Sequence, residues 1–323
     1  MDTLTDVLRT IRLKGAIFFT VDASSPWVAE APAAQEIASA IMPGVEHLIE
    51  YHVVTKGTCW CGIVGEEPVQ LSAGDVIVFP HGDPHVISSA PGMRAAPNMD
   101  LVARQLPFAL TLGAGGPEKV NFVCGFLGCD ARPFNPLLET LPRVLHVRSE
   151  PGKGDGWLPQ LIRFTLSEAE DKRPGGDCVL ARMSELMFIE VVRRHLETLP
   201  PGQTGWLAGL RDGYVGRALA LLHNRPAHAW TLDELAHEVG LSRSAFAERF
   251  NQLAGQPPMQ YLAQWRMQVA ARLLSDGNSS VAEVALEVGY DSDAAFSRAF
   301  KKLVGMPPAA WRKRQVTQTS HGR

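Results

Sequence analysis

The chain has 323 residues, a formal net charge of −3 and 46% hydrophobic residues. This length suffices for two folded domains with separate cores, and the charge excludes a protein that coats nucleic acid without specificity. No apolar run approaches the ~20 residues of a membrane span, and no signal-peptide pattern opens the chain. Together with five cysteines that form no disulfide framework, this predicts a cytoplasmic protein with no membrane partner.

Residues 1–150 are predicted to form a β-barrel or double-sheet jelly roll. From Gly15 to about Val147, short runs rich in β-branched and aromatic residues alternate with turns that contain Gly or Pro. Runs of this length and spacing are typical of antiparallel all-β architectures. The clearest runs are AIFFTV, LIEYHVV, CWCGIV, PVQL, DVIVF and VNFVCGF.

One segment of this region, GDVIVFPHGDPHVISS, carries a specific spacing of Gly74, Pro80, Gly82 and His85. Gly74 is expected to lie in a tight turn, the apolar run to cross the barrel, and the Pro80–Gly82 turn to direct His85 inward. The spacing resembles the second motif of the cupin superfamily. The resemblance implies a cupin-like barrel with a sensor role, in which His85 is either a pocket residue or a hydrogen-bonded structural histidine.

Enzymatic cupins hold a metal with two histidines and a glutamate from an earlier motif, together with the later histidine. The corresponding stretch here is HLIEYHVVTKGTCW, in which His52 matches, Glu50 stands in place of the other histidine and Lys56 in place of the glutamate. Metal catalysis requires three ligands and an open position, whereas only His52 and His85 match. No catalytic residue is therefore assigned, and an enzyme is not predicted.

The barrel cysteines leave three interpretations open. Cys124 and Cys129 flank glycines that allow a tight turn, which would bring the two sulfurs to one face. They are candidates for small core residues, for zinc ligands or for redox-sensing thiols. Cys61 shares a strand face with Cys59, which indicates core or pocket lining, and Cys178 is expected to pack within a helix.

These residues define two overlapping candidate sites. No cofactor is certain, and zinc is the metal that stays open. The effector pocket is assigned to His52, Cys61, His85 and Cys124, and the candidate metal ligands are His52, His85, Cys124 and Cys129, with His47 as a further imidazole.

Residues 151–204 are predicted to form a helical pair and a linker. WLPQLIRFTLSEAED and VLARMSELMFIEVVRRHLETL have helical periodicity, and a break at 173–176 separates them. The second helix has an apolar band wider than one core face requires. Dimerisation and capping of the barrel both remain open as its role, and the linker is assigned to Pro200–Gly205.

Residues 205–315 contain an internal repeat, which begins at Leu232 (LDELAHEVGLSRSAFAERFNQLAGQPP) and again at Val281 (VAEVALEVGYDSDAAFSRAFKKLVGMPP). In each copy a short helix ends at a glycine and a second amphipathic helix follows after a few residues. The expected N-caps of the second helices are Ser242 and either Asp291 or Ser292. One long helix, ending at Gly277, connects the copies. This pattern is that of two helix-turn-helix motifs.

The outward face of each second helix is predicted to contact DNA. Residues 226–323 have 11 Lys and Arg against 9 Asp and Glu, so placed contacts must supply the affinity. Copy one is expected to read bases, and copy two to contribute more phosphate contacts. The candidates are Ser242, Arg243, Ser244, Arg249 and Gln252 in copy one, Arg266 in the connecting helix, and Ser292, Asp293, Ser297, Arg298, Lys301 and Lys302 in copy two.

The repeat region resembles the AraC/XylS family of bacterial transcription regulators over about a hundred residues. Trp311 departs from the tyrosine that is common in the family, which is expected to be a packing change only. The resemblance implies two recognition helices in DNA, an N-terminal domain that senses a signal or dimerises, and RNA polymerase as a partner. The matching residues are Ala236, Gly240, Ser242, Phe250, Gly255, Pro258, Arg266, Ala270, Leu274, Ala285, Gly289, Phe296, Phe300, Gly305, Pro308 and Trp311–Arg312.

The whole chain is thus predicted to be a two-domain α+β protein. A cupin-like jelly roll with a helical pair is followed by an all-α double helix-turn-helix, and residues 316–323 form a flexible tail. The predicted function is a homodimeric, sequence-specific transcription regulator that responds to a small molecule or a redox signal. The alternative is a metal-dependent cupin enzyme fused to a DNA-binding domain, which metal analysis of the purified protein would distinguish.

Overall fold

The computed structural model describes residues 2–97, 109–149, 157–171, 173–277 and 279–320. The chain divides into two compact units. The β unit comprises Leu13–Cys129 and Leu141–Thr198, and the helical unit comprises Met1–Arg12, Asp130–Thr140 and Leu199–Arg323. None of the helices in the described ranges is long and apolar enough to cross a membrane.

The strands of the β unit form two sheets, as the alternation of strand-like runs and turns predicts. The six-stranded sheet has the order β10-β6-β3-β9-β1-β8, and the four-stranded sheet has the order β2-β7-β4-β5. The strands are β1 Lys14–Ser24, β2 Val28–Ala31, β3 His47–Lys56, β4 Thr58–Ile63, β5 Val69–Ser72, β6 Val76–Phe79, β7 His85–Ser88, β8 Ala109–Gly113, β9 Lys119–Cys129 and β10 Leu145–Val147.

Side chains from both sheets form one apolar core. Ile77 of β6 and Phe122 of β9, from the larger sheet, belong to the same cluster of buried residues as Cys61 of β4 and Ile87 of β7, from the smaller one. Two sheets that bury a shared face form a double-layered β architecture, so the predicted double-sheet fold class of this region is confirmed.

In the described part of the β unit the helices are α2 Ala34–Ile41, α4 Trp157–Asp171 and α5 Gly176–Thr198. Helix α5 packs closely on β1, where the Gly15 amide donates a hydrogen bond to Glu185 Oε1 (2.8 Å). A Cβ at Gly15 would overlap the backbone of Ala181, so this approach requires glycine. Tyr51 Oη and Ser184 Oγ share a further hydrogen bond of 2.8 Å. The helical pair therefore covers the six-stranded sheet.

The helical unit contains the double helix-turn-helix and the segments that pack on it. Its helices are α1 Thr3–Thr10, α3 Pro136–Thr140, α6 Trp206–Arg211, α7 Val215–Asn224, α8 Leu232–Val239, α9 Arg243–Ala254, α10 Pro258–Asp276, α11 Val281–Glu287, α12 Asp293–Val304 and α13 Pro308–Ser320. The predicted all-α class of this region is confirmed.

The boundaries of the units differ from the predicted domain limits. Residues 1–12 and 130–140 lie in the helical unit, where Arg12 pairs with Asp130 (2.6 Å) and the Phe134 amide donates to Gln268 Oε1 (3.0 Å). The sequence predicted these segments as part of the barrel because they adjoin β1 and β9 directly. Helix α13 extends to Ser320, so the predicted tail is helical over 316–320, and residues 321–323 lie outside the described residues.

The structure contradicts the tight-turn interpretation of Cys124 and Cys129 and the packing expected for Cys178, whereas burial of Cys124 and Cys129 agrees with their interpretation as small core residues. Cys124 and Cys129 lie on one continuous strand, five residues apart, and therefore point to opposite faces instead of meeting across a turn. Gly125 has its own packing reason, because a Cβ there would overlap the Tyr51 ring of the paired strand. Cys178 lies on an exposed turn of α5 and does not pack in a core.

Candidate DNA-binding surface and effector cavity

The first helix-turn-helix consists of α8 and α9, and local capping fixes both ends of its turn. Thr231 Oγ1 accepts a hydrogen bond from the Glu234 amide at the start of α8. Gly240 has a left-handed backbone (φ 81°) at the end of α8, and Ser242 Oγ then accepts from the Ala245 amide to begin α9. Phe246 and Phe250 are fully buried, which fixes the opposite face of α9 outward.

The second motif, α11 and α12, repeats this construction. Ser280 and Glu283 form a reciprocal capping box at the start of α11. Gly289 again has a left-handed backbone (φ 82°), and Ser292, not Asp291, caps α12 by accepting from the Ala295 amide. Phe296 and Phe300 are buried like their counterparts. The predicted caps and anchors of both copies are thus present.

Most of the predicted DNA-contacting residues lie on one exposed face of each second helix. Ser242, Arg243, Ser244, Arg249 and Gln252 are exposed on copy one. On copy two the exposed set is Ser292, Asp293, Arg298, Lys301 and Lys302, and Ser297 is half-buried. Such a face, with short side chains at the helix start and long polar ones farther along, can enter a major groove.

Arg249 already has a protein partner. Its Nε donates to Asp212 Oδ2 at 3.0 Å and its Nη2 donates to the same oxygen at 2.5 Å. Its guanidinium also lies 5.3 Å from the centre of the Tyr214 ring. Although partial burial acts in the opposite direction, hydrogen bonds from Arg249 and from two backbone amides lower the pKa of Asp212. A DNA contact by Arg249 would therefore require the hydrogen bonds to Asp212 to be exchanged.

Arg266 has a structural environment. Its Nε donates to the carbonyl of Pro226 (2.7 Å) and its Nη2 to that of His228 (2.8 Å), and it is half-buried. A phosphate contact would require these hydrogen bonds to break. Arg266 therefore holds the 226–228 segment against α10, and no pattern in the sequence indicated these carbonyl partners.

The cations of copy two are less engaged than those of copy one. Arg298, Lys301 and Lys302 form no ion pair with any residue in the described part of the chain. In copy one, Arg243 pairs with Asp233 (3.3 Å) and Arg249 pairs with Asp212. Exposed ion pairs of this kind contribute little to the free energy of folding. The charges of copy two are therefore available to an anion without the loss of a protein partner.

A cavity of about 500 Å³ lies within the β unit. Its volume is in the range of small-molecule sites, and apolar side chains form most of its lining. Phe19, Phe122 and Phe126 are the aromatic residues of the lining. Of the predicted pocket residues, His52, His85 and Cys124 line the cavity, whereas Cys61 belongs to the adjacent apolar core and is not among the lining residues.

His85, His52 and Cys124 form a hydrogen-bonded chain whose direction follows from one fixed acceptor. The carbonyl of Asp83 can only accept, so His85 Nδ1 donates to it (2.9 Å). The neutral His85 ring then accepts at Nε2 from His52 Nε2 (2.7 Å), and His52 Nδ1 accepts from the Cys124 thiol (2.7 Å). Every ring nitrogen of the pair is therefore used.

Burial keeps each member of this chain neutral. It lowers the pKa of His85 to about 4 and lowers that of His52 well below its ordinary value, with His85 adding to the effect. It also raises the pKa of the Cys124 thiol well above its ordinary value. A neutral, hydrogen-bonded thiol is a poor nucleophile.

Glu50 is the cavity residue that the sequence assignment left out. It lies two positions before His52 on β3, so both side chains point to the same face of the strand. Glu50 Oε2 is 4.0 Å from His85 Nε2, and Glu50 Oε1 has no hydrogen-bond partner. Burial raises the pKa of this carboxyl to about 8. The two-residue spacing from His52 was the signal that could have placed Glu50 in the pocket.

The four candidate zinc ligands do not converge. Cys124 and His85 lie on opposite sides of the His52 ring, since they bind Nδ1 and Nε2 respectively. Cys129 is on the other face of β9, in register with His47. No group of three His, Cys, Asp or Glu in the described ranges has a geometry suited to a metal ion. Ligation by these imidazoles would require the hydrogen-bonded chain to break.

Comparison with known proteins accounts for both units. The cupin family matches residues 2–197, and a helix-turn-helix domain family matches residues 235–314. An AraC-like transcription regulator of Streptomyces lividans is 31% identical over 315 residues, which cover 97% of this chain and 98% of the relative. The chain belongs to the AraC family of transcription regulators. It is a DNA-binding regulator with an N-terminal cupin domain.

Two further relatives of this AraC-family chain illustrate the range of similarity. The regulator AlkR of Acinetobacter baylyi is 26% identical to this chain over 320 residues. The aligned region spans 97% of this chain and 99% of AlkR. A solved structure of the DNA-binding domain of AdpA in complex with a target DNA is 31% identical, with a TM-score of 0.33, and covers 34% of this chain and 99% of that domain. The relatives are named as transcription regulators.

Proposed function

We propose that this AraC-family regulator senses a small effector in the β-unit cavity and changes its DNA binding in response. The observation that carries the proposal is the pairing, in one chain, of a double helix-turn-helix with a mainly apolar cavity of about 500 Å³. The proposal assigns the cavity to binding and not to catalysis, in agreement with the regulator names of the relatives.

DNA recognition is assigned to the exposed faces of α9 and α12. Residues near the starts of these helices would contact base edges, and the unpaired cations of α12 would contact phosphates. Because α10 is one continuous helix of 19 residues between the two motifs, it would hold both recognition helices at a fixed spacing.

The connectivity of the chain suggests how the cavity communicates with DNA. Strands β1 and β9 both line the cavity, β1 through Phe19 and β9 through Phe122 and Phe126. In the chain, β1 is preceded by α1 and β9 is followed by residues 130–140, and both flanking segments are part of the helical unit. A ligand that shifts β1 against β9 would therefore act on segments that pack with the DNA-binding helices.

A homodimer is assigned to the outer face of the helical pair. Phe164 of α4 and Leu186 of α5 are large apolar residues that are half exposed there. Exposed apolar patches of this kind commonly mark protein interfaces. RNA polymerase is retained as a partner by family resemblance.

In the first step of the test, the full-length protein is mixed with a pool of genomic fragments, and the fragments that it binds are sequenced. Binding of the apolar dye Nile red is then measured for the wild type and for Ala29→Phe, which fills the cavity from β2. Ala109→Phe, at an exposed position of β8, is the matched control. We expect Ala29→Phe alone to lose dye binding. Equal dye binding by both variants, or no selected DNA sequence, would contradict the proposal.

A further inference from the structure

The carboxyl groups that line the cavity have no cationic counterpart among its described lining residues. Its lining includes the acids Glu30 and Glu50, and among the described lining residues there is no Lys or Arg. Arg94 neutralises Glu30 through two hydrogen bonds of 2.8 Å to the two carboxylate oxygens. Glu50 has no such cation. An anionic group in this cavity would therefore find acids but no Lys or Arg among the described lining residues.

The polar neighbours of Glu50 are already engaged with one another. His85 Nε2, at 4.0 Å from Glu50 Oε2, accepts from His52 and has no proton to offer the carboxyl. Glu50 Oε1 has no hydrogen-bond partner although the residue is only 3% exposed. A buried carboxyl in this state lacks interactions that it would have in water, which is unfavourable unless a ligand supplies them.

Aromatic side chains border the same acid. Phe126 is in register with Glu50 on the neighbouring strand, and its ring centre is 6.3 Å from that of Phe19. Phe122 lines the cavity farther along β9. The faces of aromatic rings attract cations, and a carboxylate beside such rings is a favourable site for an ammonium group.

We propose that the effector is an organic ammonium ion, with its protonated amine paired to Glu50 and its apolar body in the remainder of the cavity. The inference rests on the proposed effector role of this cavity and adds the chemical class of the ligand. The amine would donate hydrogen bonds to the carboxylate, including Oε1, without disturbing the chain from Cys124 to Asp83. An alcohol of the same size would gain only a neutral hydrogen bond, and a carboxylate would find no Lys or Arg among the described lining residues to pair with.

Ammonium binding also requires a change in the protonation of Glu50. Burial raises the pKa of Glu50 to about 8, so the free site is mainly neutral at pH 7, and binding of the cation releases one proton. The titratable groups that line the cavity around it are His52 on β3, His85 on β7, Cys124 on β9 and the Arg94-paired Glu30 on β2. Burial favours the neutral form of the first three, so the released proton belongs to Glu50.

The experiment compares three probes that share one apolar body: octylamine, octanol and octanoate. Their affinities for the full-length protein are measured by calorimetry and by displacement of Nile red. We expect octylamine to bind at least about tenfold more tightly than octanol, as a charge-assisted hydrogen bond implies, and octanoate to bind most weakly. The affinity of octylamine should rise as the pH is raised from about 6 to 8, whereas that of octanol should not.

Glu50→Gln is the deciding variant because it keeps the shape of the side chain and removes its charge. It should bind Nile red and octanol like the wild type, which shows that it folds, and should lose both the preference for octylamine and its pH dependence. A preference for octylamine that survives in Glu50→Gln, or tightest binding by octanoate, would overturn the inference. So would a stoichiometric divalent metal ion held by Glu50 in the purified protein.

The inference and the proposed function can fail separately. Suppose that Nile red and octanol bind, that Ala29→Phe blocks both, and that octylamine binds no more tightly than octanol. The cavity is then a binding site, and the ammonium assignment is wrong. If Ala29→Phe leaves Nile red binding unchanged, the effector cavity itself is wrong. Failure of all three octyl probes to bind while Nile red still binds would contradict the ammonium assignment alone.

Discussion

The Arg249 guanidinium is paired with the carboxylate of Asp212, and we propose that DNA competes for it. The ion pair is half exposed on the arginine side, so its contribution to stability is small and DNA can displace it. Asp212 also accepts hydrogen bonds from the amides of Tyr214 and Val215, which an asparagine at this position would retain through its carbonyl oxygen. The two roles can therefore be separated by substitution.

Asp212→Asn is expected to strengthen DNA binding by roughly threefold, the order of one exposed ion pair (~0.2–1 kcal/mol), because it releases Arg249. Arg249→Ala should weaken binding by about 1–3 kcal/mol if the side chain contacts a base. Fluorescence anisotropy with a selected DNA fragment measures both effects. Glu36→Gln, an exposed charge removal on α2, is the control for net charge and should leave the affinity unchanged. Weaker binding by Asp212→Asn would show that Arg249 acts through Asp212 and not through DNA.

Glu50 also predicts how stability depends on pH. Its folded pKa, about 8, lies above the ordinary value of 4.5, so the folded state retains a proton that the unfolded chain has lost. Stability therefore falls as the pH rises from about 4.5 to 8, by up to ~1.4 kcal/mol per pH unit. The pKa values of His52 and His85 are lowered in the folded state. These histidines therefore affect the pH dependence of stability only below about pH 6.5, where their protonation in the unfolded chain reduces the free energy of unfolding.

Glu50→Gln should accordingly gain about 1–2 kcal/mol over the wild type between pH 6.5 and 8. The measurement is the denaturant unfolding of the β unit at several pH values with a constant buffer ion. Glu66→Gln, an exposed acid in the turn after β4, should show no such gain. A difference between Glu50→Gln and wild type that does not change with pH would contradict the buried neutral carboxyl.

Residues with local partners were the ones that the sequence could predict. Ser242 and Gly240 act on amides and carbonyls within a few positions of themselves, and both were predicted correctly. The partners of Arg249 and His52 lie 37 and 72 positions away, at Asp212 and Cys124. No spacing along the chain contains such information, so the cavity network became visible only with the fold.

Among the helices and strands, glycine has two structural roles, helix termination and close packing, which the sequence pattern does not distinguish. Gly240 and Gly289 end helices with a left-handed backbone, as predicted. Gly125 lies in an extended strand and is required by the closeness of Tyr51, and Gly128 by that of Val45. Because the same residue type serves turns and close packing, a turn between Cys124 and Cys129 stayed open beside the strand interpretation, and the segment is a strand.

The two helix-ending glycines provide a matched prediction. A Cβ at Gly240 would meet nothing within 4 Å, whereas one at Gly289 would lie 2.5 Å from the carbonyl oxygen of Ala227. Gly240→Ala should therefore cost only the left-handed penalty, about 1 kcal/mol, and Gly289→Ala about 2–4 kcal/mol because the backbone must also shift. Calorimetric unfolding of the full-length protein should show the larger fall in Tm for Gly289→Ala. Equal falls would contradict the close contact with Ala227.

For the whole molecule, both kinds of unit were predicted correctly, and two segments group with a different unit from the one to which the sequence assigned them. The sequence predicts each unit from its own periodicity, with period two in the strands and near 3.6 in the helices. Residues 1–12 and 130–140 adjoin the strands in sequence but group with the helical unit, where the Phe134 amide donates to Gln268 Oε1. The assignment of a segment to a unit depends on these distant contacts, which explains why it was missed.

The proposed homodimer is a property of the whole molecule, and two leucines test it. Leu186 is 46% exposed on α5 of the helical pair, and Leu286 is 64% exposed on α11 of the helical unit. If the outer face of α4 and α5 is the dimer interface, Leu186→Glu buries a charge between copies and should convert the dimer to a monomer, whereas Leu286→Glu should not. Light scattering after size-exclusion chromatography gives the mass of each variant.

Monomeric Leu186→Glu should also bind a DNA with two half-sites with roughly the affinity that it has for a single half-site, because the linked second contact is lost. A dimer that survives Leu186→Glu, or one that only Leu286→Glu dissociates, would place the interface elsewhere.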